Sequence, residues 1–355
     1  MLAEQIEFIL GVDTHKQTHT AALVTRTGAV VQHRTIPADA DGYAALLAFA
    51  RQAATGRRVW AIEGTGSFGA GLTTYLLEHE EWVVEIDRPK RPARRNGAKT
   101  DELDAVRAAR EALARDHLAQ PRRRGNREAL RVLLATRDGA IRARTKAICH
   151  LKALVVNAPD SLRSQLRSLT AGALVQRCSH LRTSRVHSAE YLATITALRL
   201  TAKRVLMLEL EANALEGQLE PLVRQLAPVL LAEPGVGPIC AAQILCAWSH
   251  TRRLRSEAAF ANLAGVAPIP ASSGQVQRHR LNRSGDRHLN CALHTIILSR
   301  LIYHAETQAY AARRIAEGKT LRETRRCLKR HLARRIFKLL ESMPTCGSPN
   351  LESAV

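Results

Sequence analysis

Ile6-Glu7-Phe8-Ile9-Leu10-Gly11-Val12-Asp13 is the chain's first apolar run, and it closes on a carboxylate. Ile6 to Val12 reads as a short strand. Thr18 to Thr25 reads as a second strand, Thr27-Gly28 turns the chain, and Ala29 to Ile36 reads as a third. Working outward, Asp39-Ala40-Asp41-Gly42 caps a helix running to about Ala54. Val59 to Ile62 is a continuous apolar strand ending at Glu63, and Gly64-Thr65-Gly66-Ser67-Phe68-Gly69 turns tightly into a helix through Leu77. Trp82 to Ile86 is another strand, and Lys99 to Leu113 a helix. The order β-β-β-α-β-α-β-α defines an α/β region.

Its acids fall at informative places. Asp13 and Glu63 stand at strand ends, and Asp101 and Asp104 lie three apart on the last helix. Residues at that spacing share a helix face. Asp13, Glu63, Asp101 and Asp104 thus make a candidate four-carboxylate cluster, the oxygen-rich donor set that hard divalent cations such as Mg²⁺ prefer, with Mn²⁺ as the substitute. Two such ions can hold the attacking and leaving oxygens of a phosphoryl transfer. Three antiparallel strands followed by βα units is the order expected of an RNase H-like (RuvC-like) domain. Sites in such open sheets assemble at strand ends.

With 53 Lys and Arg against 32 Asp and Glu in 355 residues, the formal net charge is +21, and nucleic acid is the obvious polyanionic partner. No segment reads as a signal peptide or a membrane span, so a membrane partner is not expected. The seven cysteines are scattered with no Cys-x-x-Cys pair, which argues against a zinc site or a disulfide framework and for a reducing cytoplasm. Aromatics are only 4% of the chain, so phosphate contacts rather than base stacking should dominate binding.

Pro121-Arg122-Arg123-Arg124-Gly125 breaks the α/β pattern. From Pro121 to Val155 there are ten Arg or Lys against two acids, Glu128 and Asp138, over an apolar helical period marked by Leu130, Leu134, Ile141, Ile148 and Leu151. A solvated helix face is the plain reading, and the excess of one sign favours a surface that tracks phosphates, led by Arg122, Arg123 and Arg124. Residues 160–195 are Ser/Arg-rich and read as irregular. Leu198 to Leu226 reads as a long helix, either a short coiled coil between protomers or one arm of an intramolecular hairpin. Pro234-Gly235-Val236-Gly237-Pro238 then opens an apolar helix over Ile239 to Trp248, a turn that offers backbone N–H groups to a phosphate.

Ser272-Ser273-Gly274 sits in a Pro/Gly loop followed by Arg278, His279, Arg280 and Arg283. A serine beside guanidinium groups can attack a phosphodiester while those groups offset the developing charge. Ser-Ser-Gly is also an ordinary loop composition.

Taken together, GVDTHK at 11–16, IEGTGSFG at 62–69, KTDELDA at 99–105, PGVGPICAAQIL at 234–245 and LAGVAPIPASSGQVQRHRLNRSGDRHLN at 263–290 resemble one family across nearly the whole chain. This is the DEDD transposase class related to the Piv invertase, whose members include bridge-RNA-guided recombinases. The resemblance implies that Asp13, Glu63, Asp101 and Asp104 bind the metal and that Ser273, immediately before the glycine, is the nucleophile. It implies a RuvC-like catalytic domain over 1–118, a basic helical and coiled-coil region over 119–230, and a helical C-terminal transposase domain over 231–345 with a helix-hairpin-helix-like element. It implies a homo-oligomer, dimer to tetramer, in which the metal domain of one protomer meets the serine loop of another. DNA, donor and target, and a noncoding bridge RNA are the expected partners, in a bacterial cytoplasm at the nucleoid. Arg283-Ser284-Gly285 departs from the family pattern, where many relatives carry a second glycine, and implies a slightly stiffer loop.

Two other functions compete. A RuvC-like nuclease or Holliday-junction resolvase needs the four acids and no serine loop, so the long C-terminal half argues against it. A non-catalytic basic binder gains nothing from acids that face phosphate.

Overall fold

The computed structural model describes residues 2–86, 100–182, 188–272, 274 and 279–343. The chain divides into two compact units, 1–124 with 252–254, and 125–251 with 255–355.

The first unit is built on β1 (Phe8–Thr14), β2 (Thr18–Thr25) and β3 (Val30–Pro37), an antiparallel meander. After α1 (Ala40–Ala53), β4 (Arg58–Glu63) pairs parallel with β1, and after α2 (Ala70–Glu78), β5 (Val83–Ile86) pairs parallel with β4. α3 (Asp101–Leu113) closes the unit. The sheet order is β3-β2-β1-β4-β5, and the element order is the one read from the sequence. β1 reaches two residues past the expected end at Val12, so Asp13 and Thr14 belong to the strand itself.

Alternation along the central strands sorts the core into two layers. Leu10, Val12, Leu23, Trp60 and Ile62 pack with Leu46, Leu47, Leu72 and Leu76 of α1 and α2. Ile9, Ala22, Val24, Val59 and Ala61 pack on the other face with Ala105, Val106, Ala109 and Ala112 of α3. Gly11 lies on that second face, and its lack of a side chain is what lets α3 sit against β1. A Cβ there would meet the Ala105 carbonyl oxygen at 2.0 Å and the Ala109 nitrogen at 2.6 Å.

The second unit is helical. α4 (Asn126–Val156) is followed by α5 (Asp160–Leu166), α6 (Ala171–Ser179) and α7 (Ala189–Leu226). α4 and α7 form an antiparallel hairpin: Arg137 pairs with Glu216 at 3.2 Å and Arg144 with Glu209 at 2.8 Å, one heptad apart on each helix. Its apolar seam joins Ala147, Leu151 and Val155 to Leu198, Ala202 and Val205, with Leu174, Val175 and Cys178 of α6 packed in. The hairpin alternative is therefore present within the chain, and α7 starts well before Leu198. The stretch that read as irregular holds α5 and α6. Two of its hydroxyl residues serve as caps, with Thr170 Oγ1 accepting from Ala173 N and Ser188 Oγ from Tyr191 N.

α8 (Pro228–Leu231), α9 (Pro238–Trp248) and α10 (Glu257–Leu263) lead to a small hairpin, β6 (Ile269–Pro270) and β7 (His279–Arg280). α11 (Arg287–Tyr303), α12 (Ala305–Ala316) and α13 (Leu321–Glu341) follow. Two carboxylates tie these helices. Buried Glu233 accepts from Arg300 of α11 at 3.1 Å and Arg335 of α13 at 2.6 Å. Glu257, in the first turn of α10, accepts from Arg330 at 2.6 Å and Arg334 at 3.2 Å. Among the described residues no helix is long and apolar enough to cross a membrane.

Candidate functional site

The pleat places the first two candidate acids. Asp13 continues the Ile9, Gly11 series on the α3 face of β1, and Glu63 continues Val59, Ala61 on β4. Val12 and Ile62 are in register in the parallel pair, so Asp13 and Glu63 leave neighbouring strands side by side. Thr14 Oγ1 donates to the Glu63 carbonyl at 2.9 Å and fastens the two strand ends together.

α3 delivers the other two. Thr100 caps the helix by accepting from Leu103 N at 3.3 Å, and Asp101, Glu102 and Asp104 occupy the first turn. Acids are favourable there because the unpaired N–H groups leave partial positive charge. The approach allowed at Gly11 brings this end of α3 over the end of β1.

A histidine joins them. His15 Nε2 donates to Asp13 Oδ2 at 3.2 Å and lies 3.4 Å from Asp101 Oδ1. Asp13, His15 and Asp101 each offer a ligand atom, all within 4.8 Å of one another. Asp104 acts electrostatically on Asp13 and also accepts from Arg107 Nη1 at 2.6 Å. Glu63 is placed beside Asp13 by the strand register, outside that 4.8 Å group. The Asp13 carboxyl is held above its ordinary value. Burial is the largest cause, His15 opposes it, and Asp104 and Asp101 push it further up. A carboxylate penalised in this way gains from a cation, and the clustered oxygens are hard donors, so the residues present fit a divalent metal ion.

His15 has no place in the four-acid pattern. A signal existed: three residues separate β1 from β2, and the His15 N–H donates to Thr18 O at 3.0 Å, so the tight turn keeps the His15 backbone next to Asp13 at the strand end. Arg107 was also visible, three residues beyond Asp104 on one helix.

The second candidate region is the loop joining β6 to β7. Ser273 and Arg278 lie outside the described residues. Ile269 pairs with Arg280 and Pro270 with His279, so Ser272 and Gly274 belong to the hairpin's connecting loop. Its base is fixed: buried Asn282 donates to Asn262 Oδ1 at 2.8 Å and accepts from the Ser284 hydroxyl at 2.8 Å. Gly285 packs on Gly265 so closely that a Cβ would fall 2.7 Å from the Gly265 nitrogen. Ser284, the departure noted in the sequence, is thus hydrogen-bonded within this base. Arg280 and Arg283 are exposed, as are Arg123 and Arg124, while Arg122 is half-buried with its Nε sealed from solvent. Several other cations of α4 are committed to ion pairs, with Arg131 on Glu128 as well as the two pairs of the α4–α7 hairpin.

An α/β unit carrying strand-end carboxylates, joined to a basic helical unit, is the make-up of a DNA-processing enzyme. The comparisons specify which kind. Residues 10–158 match the DEDD transposase family model of IS110, and residues 227–312 match the transposase family model of IS116, IS110 and IS902. The chain belongs to the IS110 family of DEDD transposases, and its activity is that of a DNA transposase. No curated protein matches it.

Proposed function

We propose that the first unit is an RNase H-like (RuvC-like) catalytic domain and that Asp13, Glu63, Asp101 and Asp104 hold Mg²⁺. Ser273 is the attacking nucleophile, in an insertion-sequence recombinase guided by a noncoding bridge RNA. The observation that carries this reading is the meeting of Asp13 and Asp101 at the end of β1, with Glu63 and Asp104 beside them. Bound there, the ion would polarise a scissile phosphate and supply positive charge to its oxygens.

The protein's own groups do the rest. The Ser273 hydroxyl oxygen attacks phosphorus, forming a phosphoserine bond and releasing a deoxyribose oxygen, which takes up a proton. A later attack by a strand's hydroxyl on that bond frees the serine and rejoins the DNA. Arg278, Arg280 and Arg283 would offset phosphate charge near the serine. Arg122, Arg123 and Arg124 would contact backbone phosphates, a sequence-independent role. Sequence choice would then fall to base pairing with the RNA. The division into catalytic, linker and C-terminal transposase domains at 118 and 230, and action at the nucleoid, belong to the same reading. So does homo-oligomerisation. Leu200, Met207 and Leu210 on the outer side of α7 are 57%, 72% and 69% exposed, at the spacing of a coiled-coil seam.

The test is covalent trapping on supercoiled donor DNA with RNA supplied. The wild type should yield a phosphoserine–DNA adduct, while Ser273→Ala and Asp101→Asn should each lose it, with Ser273→Ala keeping DNA and RNA binding. If Ser272→Ala loses the adduct instead, the nucleophile moves by one residue. Cleavage without an adduct in any protein would favour a water-dependent nuclease or junction resolvase.

A further inference from the structure

We propose that His15 is a ligand of the metal site. It makes the site a mixed nitrogen–oxygen centre that selects a first-row divalent transition-metal ion, Mn²⁺ in the test below, over Mg²⁺. This rests on the carboxylate reading above and adds to it a residue that the four-acid pattern leaves out.

The geometry carries the argument. His15 Nε2 stands 3.2 Å from Asp13 Oδ2 and 3.4 Å from Asp101 Oδ1. Ligand atoms bound about 2.1 Å from one ion, at angles of 90–109°, lie roughly 3.0–3.4 Å apart. The nitrogen is therefore spaced from each oxygen as neighbours in one coordination shell are, and all three atoms lie within 4.8 Å of one another. His15 also has little reason to be there for the fold. Its side chain is 46% exposed, and among the described residues its two close polar contacts, to Asp13 and Asp101, are to candidate ligands. The Nε2 atom faces both carboxylates, the direction from which a cation would be shared among the three groups. To hold the ion, His15 would carry its ring proton on Nδ1 and offer the Nε2 lone pair.

Selectivity follows from the donor type. Oxygen ligands suit Mg²⁺, which dehydrates reluctantly and gains little from imidazole. Nitrogen donors favour the first-row ions, with affinity rising from Mn²⁺ through Co²⁺ and Ni²⁺. A nitrogen beside carboxylates thus raises affinity for these ions relative to Mg²⁺, without excluding Mg²⁺ when it is in large excess.

The test uses the full chain, stripped of metal by chelation and titrated with Mn²⁺. Free aqua-Mn²⁺ is followed by electron paramagnetic resonance, and bound Mn²⁺ by electron spin-echo modulation. The expected result is one ¹⁴N coupling in the wild type, replaced by ¹⁵N when histidine is labelled and absent in His15→Ala. The Mn²⁺ dissociation constant should rise by roughly tenfold in that variant, the scale on which groups supporting a metal act. The Mg²⁺ constant, from competition, should change by less than about threefold. The labelling readout uses the unaltered chain, so it does not depend on how the variant folds. Mn²⁺ that binds and is lost in Asp13→Asn, yet shows no nitrogen coupling, would overturn the role of His15 and leave the carboxylate site standing. A coupling that persists in His15→Ala would also overturn it. Absence of any Mn²⁺ or Mg²⁺ binding sensitive to Asp13→Asn would sink the carboxylate site, and this inference with it.

Discussion

Carboxylates are used in opposite ways in the two units. Glu233 and Glu257 in the helical unit are each gripped by two arginines, and both are held below their ordinary values, with the arginine hydrogen bonds as the leading cause. Asp13 in the sheet unit is half-buried beside other acids with one histidine to offset it, and is held above its ordinary value. In a chain with a net charge of +21, arginine is abundant. Acids left crowded at a strand end therefore stand out from acids that fasten helices. The difference separates acids that fasten helices through paired arginines from Asp13, which only His15 offsets against Asp101 and Asp104 and which a cation would relieve in the role proposed for it.

Three substitutions probe that contrast, in falling order of effect. Gly11→Ala should be the most damaging to the fold, because the added methyl would overlap the α3 backbone. We expect a loss of about 3 kcal/mol in denaturant unfolding, the upper part of the usual overpacking range. If the loss is under about 1 kcal/mol, α3 does not rest on β1 as described. Glu233→Gln should come next, since it removes the charge that two arginines face. About 2 kcal/mol is expected, less than for a fully enclosed pair because Arg335 is 63% exposed. Asp13→Asn in metal-free protein should leave stability unchanged or raised, since it relieves repulsion from Asp101 and Asp104. Equal losses in Glu233→Gln and Asp13→Asn would erase the distinction between the two regions.

The smallest effect is a pH dependence. Glu257 is held down to about 2 by the Arg330 hydrogen bond first and Arg334 after it, against a reference value of 4.5. Its folded value lies below its unfolded one, so its stabilisation is complete above about pH 4.5 and fades as pH falls toward 2. The stability gap between wild type and Glu257→Gln should be flat near neutrality, under about 1 kcal/mol for so accessible a pair, and should close by about pH 2. A gap that widens in acid would contradict this assignment.

Much of the sheet unit was legible because its signals are local. Alternation, the turn at Thr27-Gly28 and the cap at Asp39 each depend on a few neighbouring residues. The candidate acids were legible for the same reason, as carboxylates ending apolar runs. His15 was not, because its value lies in a distance to Asp101 that only the α3–β1 contact creates. The α4–α7 hairpin posed a different difficulty. The apolar rows of α7 fit a partner in the same chain or in another, and only pairs such as Arg144 with Glu209 show the intrachain partner. α5 and α6 were hidden because each is a short helix of seven or nine residues, and the Thr170 cap that opens α6 looks like loop when its partner N–H is not known.

Gly11 also gives the site a fulcrum. α3 bears on β1 through Ala105 and Ala109, and Asp101 lies about one turn, roughly 6 Å of helix rise, beyond the nearer of these. A tilt of about 10° around that bearing swings Asp101 by roughly 1 Å, and in the metal-binding role proposed for it a displacement of that size would lower the reaction rate by about a hundredfold. The placement of Asp101 relative to Asp13 thus depends on a contact that carries no charge, and changes along the α3–β1 seam would act on the proposed chemistry by leverage.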